Sequence, residues 1–358
     1  MATLKQIAEA AGVSPATVSY VLNNQPDVAL DTRQRVLAMV EKMHFVRRRY
    51  VRRRPVAAGA VRTKSLSFIS CLPFDPWGES YWGQLLSGCL AEAHDAEAVL
   101  QVARIDSETA DGVVLPVAVR ERATDGLIVT GFPSAALMAS LAEYELPMVC
   151  LDTKDVASGF HHVRPDNTGG TIKAVEHLHA LGHERIAVIT GDLSFAGDTE
   201  RLGAYFAAMT QLGLPWSEDW IMREPWMSDR SGEEGMAELL RRKLDVTAVF
   251  CMGDRIARGA IEVAQAAGLS VPGDLSIIGF DNQPFSAALA PAITTVDVNL
   301  VDLGRLAVRR LLDQLASPHL RTPQRLTLEA TVVVRGSTGA VGAAASPTTS
   351  THNRRRNA

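Results

Sequence analysis

Residues 3–23, TLKQIAEAAGVSPATVSYVLN, constrain the chain more than any other stretch, because they leave little room for anything but two short helices meeting at a glycine. Thr3 is a good N-cap, and Gln6 three residues later completes a capping box. Leu4, Ile7, Ala8 and Ala11 repeat at i, i+3, i+4 and i+7, the spacing of one apolar helix face. Gly12 suits the left-handed position that ends a helix. Ser14 then caps a second helix whose first position is Pro15, where no backbone donor is lost. Val18, Val21 and Leu22 point inward, which leaves Ala16, Thr17, Ser19, Tyr20 and Asn23 on the outside. A short stiff turn, a small shared core and an outward second helix are what a helix-turn-helix needs to enter a major groove. Spacing alone also fits an ordinary helical hairpin.

A third helix is expected from about Asp31 to His44, with Val36, Leu37, Val40 and Met43 on its inner side. The arginine-rich run Arg47–Arg54 follows, with six arginines in eight residues. It reads either as a phosphate-contacting or minor-groove segment, or as a solvated linker that orders on a partner. Residues 1–64 carry 12 Lys and Arg against 4 Asp and Glu, whereas the remainder carries 24 against 36. A basic head on an acidic body is the electrostatic footprint of nucleic-acid binding, and it predicts strong salt dependence.

From Leu66 the pattern changes to alternating strands and helices. Strands are expected at 66–72, 99–105, 125–130, 147–151, 161–164, 186–190, 247–251 and 275–280. Helices are expected near 79–94, 134–144, 167–181, 199–212, 254–267 and 299–316. Repeated strand–helix alternation implies parallel sheets with helices on both faces, and about 270 residues of it suit two lobes better than one. The expected organisation is a head at 1–46, a linker at 47–64, a two-lobed body at 65–337 and a disordered Ala/Ser/Thr-rich tail at 338–358. The lobes are expected as 65–160 with 292–320, and 161–291 with 321–337.

The run A8-E-A-A-G-V-S-P-A-T-V-S-Y-V-L-N23 resembles the N-terminal signature of the lac repressor (LacI) family of bacterial transcription regulators. The resemblance extends to about Ser337 through D125-G-L-I, V163-x-x-D-N167, L181-G-H-E-R-I186, R201-L-G203, T247-A-V-F, G253-D-R-I-A257, G268-L-x-V-P272, D274-L-S-I-I-G-F-D281, P291-A-I-T-T-V296 and V334-R-G-S337. It implies a helix-turn-helix head on a periplasmic-binding-protein-like sensor: two doubly wound parallel-sheet lobes, three crossovers and a ligand in the cleft. Candidate crossovers lie near 161–164, 288–293 and 318–325.

In a protein of this kind Pro15, Ala16 and Tyr20 would face base edges. Thr3, Ser14, Thr17, Ser19 and Asn23 would hold phosphates. Arg33 has two readings, a phosphate contact and a plain surface arginine. The family's hinge helix has a poor match here; Ala57, within P55-V-A-A-G-A-V61, is the nearest minor-groove candidate. For the effector, the resemblance points to Arg201 as a donor and Asp281 as an acceptor of ligand hydroxyls. The loop P73-F-D-P-W-G-E-S-Y-W82 offers Phe74, Asp75, Trp77 and Tyr81, as ring-stacking and hydroxyl-reading groups or as core. Asp152, Phe160 and Trp226 are further candidates. Asp254 is expected to cap its helix, and Gly253 stands where the family often has asparagine. His161, His162 and His183 read as structural.

No G-x-S-x-G, P-loop, G-x-G-x-x-G or H-E-x-x-H is present, so no catalytic set, cofactor or metal is expected. Cys71, Cys89, Cys150 and Cys251 are far apart and read as buried thiols. No apolar run of about 18 residues exists, and no signal peptide precedes the head, so a cytoplasmic, nucleoid-associated protein is expected. The reading is a DNA-binding regulator, a repressor, acting as a homodimer on palindromic double-stranded operator DNA under a carbohydrate effector. The alternatives are a cytoplasmic solute-binding protein or a sugar-acting enzyme on the same scaffold.

Overall fold

The computed structural model describes residues 4–22, 28–43, 63–72, 81–105, 114–153, 159–191, 193, 195–225, 227–317 and 322–342. Thr3, Asn23, the arginine-rich run, Ala57, Phe74, Asp75, Trp77 and Trp226 lie outside the described residues. Two compact units divide the chain, Met1–Pro55 and Val56–Ala358.

In the first unit, α1 (Leu4–Ala11), α2 (Pro15–Leu22) and α3 (Leu30–Lys42) enclose Ile7, Ala8, Ala11, Val18, Val21 and Val36. Gly12 has φ +66°, and Val13 N–H donates to Ala8 O at 2.9 Å, closing α1 as its sequence requires. The Ser14 Oγ accepts from Thr17 N–H at 3.1 Å, the N-cap that starts α2. Leu37 departs from expectation: it is exposed. Val36, Val40 and Met43, with Met39, form the inner stripe. Leu37 sits about 100° round the helix from Val36, off that stripe.

The second unit begins with β1 (Ser65–Cys71), α4 (Tyr81–Asp95), β2 (Val99–Arg104), α5 (Val117–Arg120), β3 (Gly126–Gly131), α6 (Ala135–Ala142), β4 (Met148–Thr153) and β5 (His161–Pro165). It continues with α7 (Asn167–Ala180), β6 (Ile186–Thr190), α8 (Ala196–Gln211), β7 (Ile221–Arg223), α9 (Asp229–Arg242), β8 (Ala248–Cys251), α10 (Asp254–Ala266) and β9 (Ser276–Ile278). Last come β10 (Thr295–Asp297), α11 (Leu300–Ala316), β11 (Arg325–Leu328) and β12 (Thr331–Val333).

The first lobe's sheet runs β11-β5-β4-β3-β1-β2, all parallel, with Leu66 opposite Gly126 and Leu127 opposite Met148. The second runs β7-β6-β8-β9, also parallel. Each sheet therefore starts at its second position and reverses, so each has a switch point, between β1 and β3 and between β6 and β8. β3 and β6 are buried throughout, the run expected of strands covered on both faces.

Three crossovers join the lobes, but not at the expected places. β5 pairs with β4, so the lobe boundary at 160/161 is corrected to the Pro165–Asn167 turn. β10 stays with the second lobe and α11 packs on α4 and on β3–β5, so the second crossing lies near 298–299 rather than 288–293. β11 joins the first sheet, so residues 325–328 belong there and the third crossing falls between β11 and β12, which pairs with β10. The errors share a cause: a strand's local pattern does not say which sheet receives its hydrogen bonds. The tail also begins later than expected. Thr338 Oγ1 bonds His177 Nε2 at 3.0 Å, and Gly339 N–H donates to Ser276 Oγ at 3.0 Å, so residues 338–342 belong to the second lobe. Residues 343–358 lie outside the described residues.

α4 and α11 approach closely because Gly88 and Gly304 face each other's helix backbone. A Cβ on Gly304 would overlap the Leu85 carbonyl oxygen. The Cys89 Sγ–H donates to Gly304 O at 3.3 Å across the same contact. Gly304→Val is expected to destabilise the chain by about 1–3 kcal/mol, the usual cost of overpacking. Urea denaturation would show a lower midpoint; an unchanged midpoint would mean that the helices separate freely.

Candidate effector cleft and nucleic-acid interface

A cavity of about 500 Å³ opens at the carboxyl ends of both sheets. Trp82 lies in the helix after β1, Phe132 follows β3, Thr153 ends β4 and Arg164 lies near the end of β5. From the other lobe come Phe195 after β6, Gly253 after β8 and Asp281 after β9. This is the crevice beyond the strand ends, beside the switch points, where doubly wound sheets take ligands.

Arg201, on α8, is the best-tied side chain of the lining. It is buried, and its Nε donates to Asn167 Oδ1 at 2.9 Å, its Nη1 to Met252 O, and its Nη2 to Asp281 Oδ1 at 3.1 Å. The guanidinium lies over the Phe280 ring, 3.9 Å from its centroid. A guanidinium has five N–H donors, so donors remain for a ligand acceptor.

Asp281 has φ +98°, a strained angle for a residue with a Cβ. The surrounding loop supports it. Asp281 N–H donates to Val296 O at 2.8 Å, and Asn282 is held by Asp297 at 3.0 Å and by Arg335 at 2.6 Å. Burial pushes the Asp281 carboxyl above the usual carboxylate range, opposed by Arg201 and reinforced by Asp198 and Asp152.

Asp152 accepts from Tyr81 O–H at 2.8 Å, and burial raises its pKa. The expected loop thus contributes Tyr81, which lines the cavity beside Trp82. Rings follow in edge-on contacts: Tyr81 to Trp82 at 5.0 Å, Trp82 to Phe132 at 6.0 Å and Phe132 to Phe195 at 4.3 Å. The last contact joins the two lobes. A polar chain joins them as well, from Arg164 to Glu200 at 2.9 Å and from Glu200 to Asn167 Nδ2 at 3.0 Å, reaching Arg201. Met227, also in the lining, fills the space beside Gly253 and Gly191, where a Cβ would collide with its side chain.

The cleft therefore brings together four of the expected residues, Tyr81, Asp152, Arg201 and Asp281. Phe160 is not in the lining; it directly precedes β5 and packs against the first lobe's core. Sequence reasoning missed Trp82, Phe132, Thr153, Arg164, Phe195 and Met227. Strict use of the strand-end rule would have found Phe132, Thr153 and Phe195. Asp254 is corrected too. Gly253 is the N-cap of α10, and the Asp254 carboxylate instead accepts from Gln283 N–H at 2.7 Å and Thr295 Oγ1–H at 2.5 Å, fastening the loop that carries Asp281. His183 is structural, with Nδ1 on Thr247 at 3.0 Å and Nε2 on Ser276 at 2.9 Å. All four cysteines are buried free thiols. Among the described residues no cluster of His, Cys, Asp or Glu has metal-ligand geometry, and no helix is long and apolar enough to cross a membrane.

In the head, α2 presents Pro15, Ala16 and Tyr20 to solvent. Tyr20 is 54% exposed, a large side chain that the head's core does not use. Thr17 is half-buried and its hydroxyl bonds Ser14 Oγ at 2.9 Å. Arg33 is half-buried on α3, and the Ser19 side chain lies outside the described residues.

A helix-turn-helix head and a two-lobed body with a ligand-sized cleft define a class: DNA-binding regulators controlled by small molecules. Comparison with known proteins agrees. The profile of bacterial regulatory proteins of the lacI family matches residues 3–48, and that of the periplasmic binding protein-like domain matches residues 175–338. The HTH-type transcriptional repressor PurR of Erwinia tasmaniensis is 31% identical over 88% of this chain and 91% of its own length. The HTH-type transcriptional regulator DegA of Bacillus subtilis is 30% identical over 94% of this chain and 98% of its own. Among solved structures, the CelR–cellobiose complex has a TM-score of 0.67 at 26% identity, covering 94% of this chain and 100% of that one. The Lac repressor dimer bound to operator and the anti-inducer ONPF has a TM-score of 0.67 at 26% identity, covering 95% and 99%. The chain belongs to the lacI family of bacterial regulatory proteins.

Burial pushes the Asp254 carboxyl up to about 8, against the stabilising bonds from Thr295 and Gln283. A carboxyl raised in the folded state holds a proton that the unfolded chain has released. Its stabilisation is complete below about pH 4 and is lost as pH rises through about 8. His177 and His183, lowered by burial, act in the opposite sense only below about pH 6.5. Stability is therefore expected to fall between pH 6.5 and 8.5, and Asp254→Asn to reduce that fall. Urea midpoints at the two pH values measure it; an identical fall in the variant would show that Asp254 is already ionised at pH 6.5.

Proposed function

We propose that the chain is a transcriptional repressor that binds palindromic operator DNA as a homodimer, with an affinity set by a carbohydrate held between its lobes. The observation that carries this reading is the buried Arg201–Asp281 pair in a cleft of about 500 Å³, on a chain that begins with a helix-turn-helix. In this reading Pro15, Ala16 and Tyr20 meet base edges, while Thr3, Ser14, Thr17, Ser19, Asn23 and Arg33 hold phosphates. Two apolar residues and one hydroxyl read little sequence per half-site, so a second head on a two-fold axis supplies the rest. Ala57 is the proposed minor-groove contact. Tyr81, Asp152, Arg201 and Asp281 meet the effector; Phe74, Asp75, Trp77 and Trp226 complete the proposal from outside the described residues. The protein acts in the cytoplasm at the nucleoid, and the effector leaves the cleft unchanged, without turnover.

Closure of the lobes on the effector changes the spacing of paired heads, which couples the two binding equilibria reciprocally. Three crossovers and the Phe132–Phe195 contact are the parts that such a movement would work. Selection of duplexes from a random library by the full-length protein is expected to return a palindrome. Tyr20→Ala is expected to weaken binding to it by roughly tenfold, the effect of about 1.4 kcal/mol at a base contact. Failure to enrich any sequence would overturn the operator reading. Equal operator affinity with and without every ligand that the cleft binds would overturn the coupling.

A further inference from the structure

Two buried polar groups of the lining have work left to do. Thr153 is 3% exposed and its Oγ1 has no hydrogen-bond partner. Arg164 is 9% exposed; its Nη1 holds Glu200, yet its Nε is buried with no partner. Leaving such groups unpaired costs free energy, and these two residues line the cavity, where a ligand can supply what the protein does not. Neither residue is marked by any motif of the sequence.

The charges around them decide which ligand can do so. Each described arginine of the lining faces a carboxylate: Arg164 with Glu200 at 2.9 Å, Arg201 with Asp281 at 3.1 Å and Arg255 with Asp229 at 3.0 Å. Asp152, bonded by the uncharged Tyr81 hydroxyl, and Asp198 add further carboxylates. The first turn of α8 borders the cavity, and the helix dipole would favour an anion there, but Asp198 occupies that turn. A phosphate would satisfy Arg164 Nε while facing Asp152, Asp198 and Asp281. A cation would satisfy Asp152 and leave Arg164 Nε bare. A hydroxyl both donates and accepts, so a set of hydroxyls meets both needs without bringing charge. Trp82, Phe132, Phe195 and Met227 offer apolar surface for C–H faces between those hydroxyls.

We infer that the carboxylates around Thr153 and Arg164 make this cleft selective for an uncharged polyhydroxyl ring, whose hydroxyls satisfy those two residues, over its phosphorylated form. A ligand hydroxyl donates to Asp152, and ligand oxygens accept from Arg164 Nε–H and share a hydrogen bond with Thr153 Oγ1. The inference rests on the cleft being the effector site.

The test is thermal denaturation and titration calorimetry of the full-length protein. Ribose, glucose, galactose, maltose and cellobiose are compared with ribose 5-phosphate, glucose 6-phosphate and galactose 6-phosphate. At least one neutral sugar is expected to stabilise the protein, and its phosphate is expected to bind at least tenfold more weakly. Thr153→Val keeps the side chain's shape and removes the unpaired hydroxyl. It is expected to weaken the neutral sugar roughly threefold to tenfold, the worth of one hydrogen bond. The unliganded melting temperature is not expected to fall, whereas a merely structural hydroxyl would lower it. A phosphate that binds as tightly as its parent sugar, an unchanged affinity in Thr153→Val, or no binding by any neutral sugar overturns the inference. If the DNA selection still returns a palindrome in those cases, the regulator reading stands; if it returns none, that reading fails separately.

Discussion

A guanidinium taken out of water is the constraint on which the body of this protein depends. Burying an unpaired charge costs several kcal/mol, so Arg201 can sit at the floor of the cleft only if its surroundings are arranged to receive it. They are four residues from three places in the chain: Asn167 at the start of α7, Met252 with its carbonyl after β8, and Phe280 with its ring and Asp281 after β9. Each in turn needs support. Asp281 keeps a left-handed backbone because Asp254, Thr295 and Arg335 bind the residues beside it. Asn167 is shared with Glu200, which holds Arg164 on the other lobe. The polar floor of the cleft is one connected network, and its members are not independent.

The same network explains how a ligand in the cleft can matter to the whole body. Both lobes end their strands at the cavity, and they meet there through an aromatic contact and an ion pair instead of a continuous sheet. Within the first lobe, α4 and α11 pack backbone to backbone at Gly88 and Gly304. Three crossovers and the few side chains that span the cleft connect the two lobes. A ligand that bridges two lobes favours one arrangement of them only by its differential affinity for that arrangement.

Much of the fold was legible before any coordinates. Gly12 and Ser14 announced their cap positions, and Ile7, Val18 and Val36 their burial, because helix capping and helical periodicity are local. Strands such as β3 and β6 were visible as short, mostly apolar runs, since sheets covered on both faces tolerate little else. Arg201 and Asp281 were legible through resemblance. Leu37 is exposed against expectation because it lies just off the inner stripe of α3, and apolar character alone does not say which face a residue takes. Asp254 was misjudged because its true partners, Gln283 and Thr295, are about thirty and forty residues away.

The sequence by itself determined the kind of molecule: a basic helix-turn-helix head and an acidic α/β body. Periodicity, capping and charge are properties of neighbouring residues, and they survive without a fold. Tertiary structure alone decided which sheet received β5 and β11, where the chain crosses between lobes, and which side chains close the cavity. Those outcomes depend on pairings between residues far apart in the chain. Thr153 and Arg164 belong to this second group: each looks ordinary in its strand, and only the assembled cleft leaves Thr153 Oγ1 and Arg164 Nε buried and unpaired.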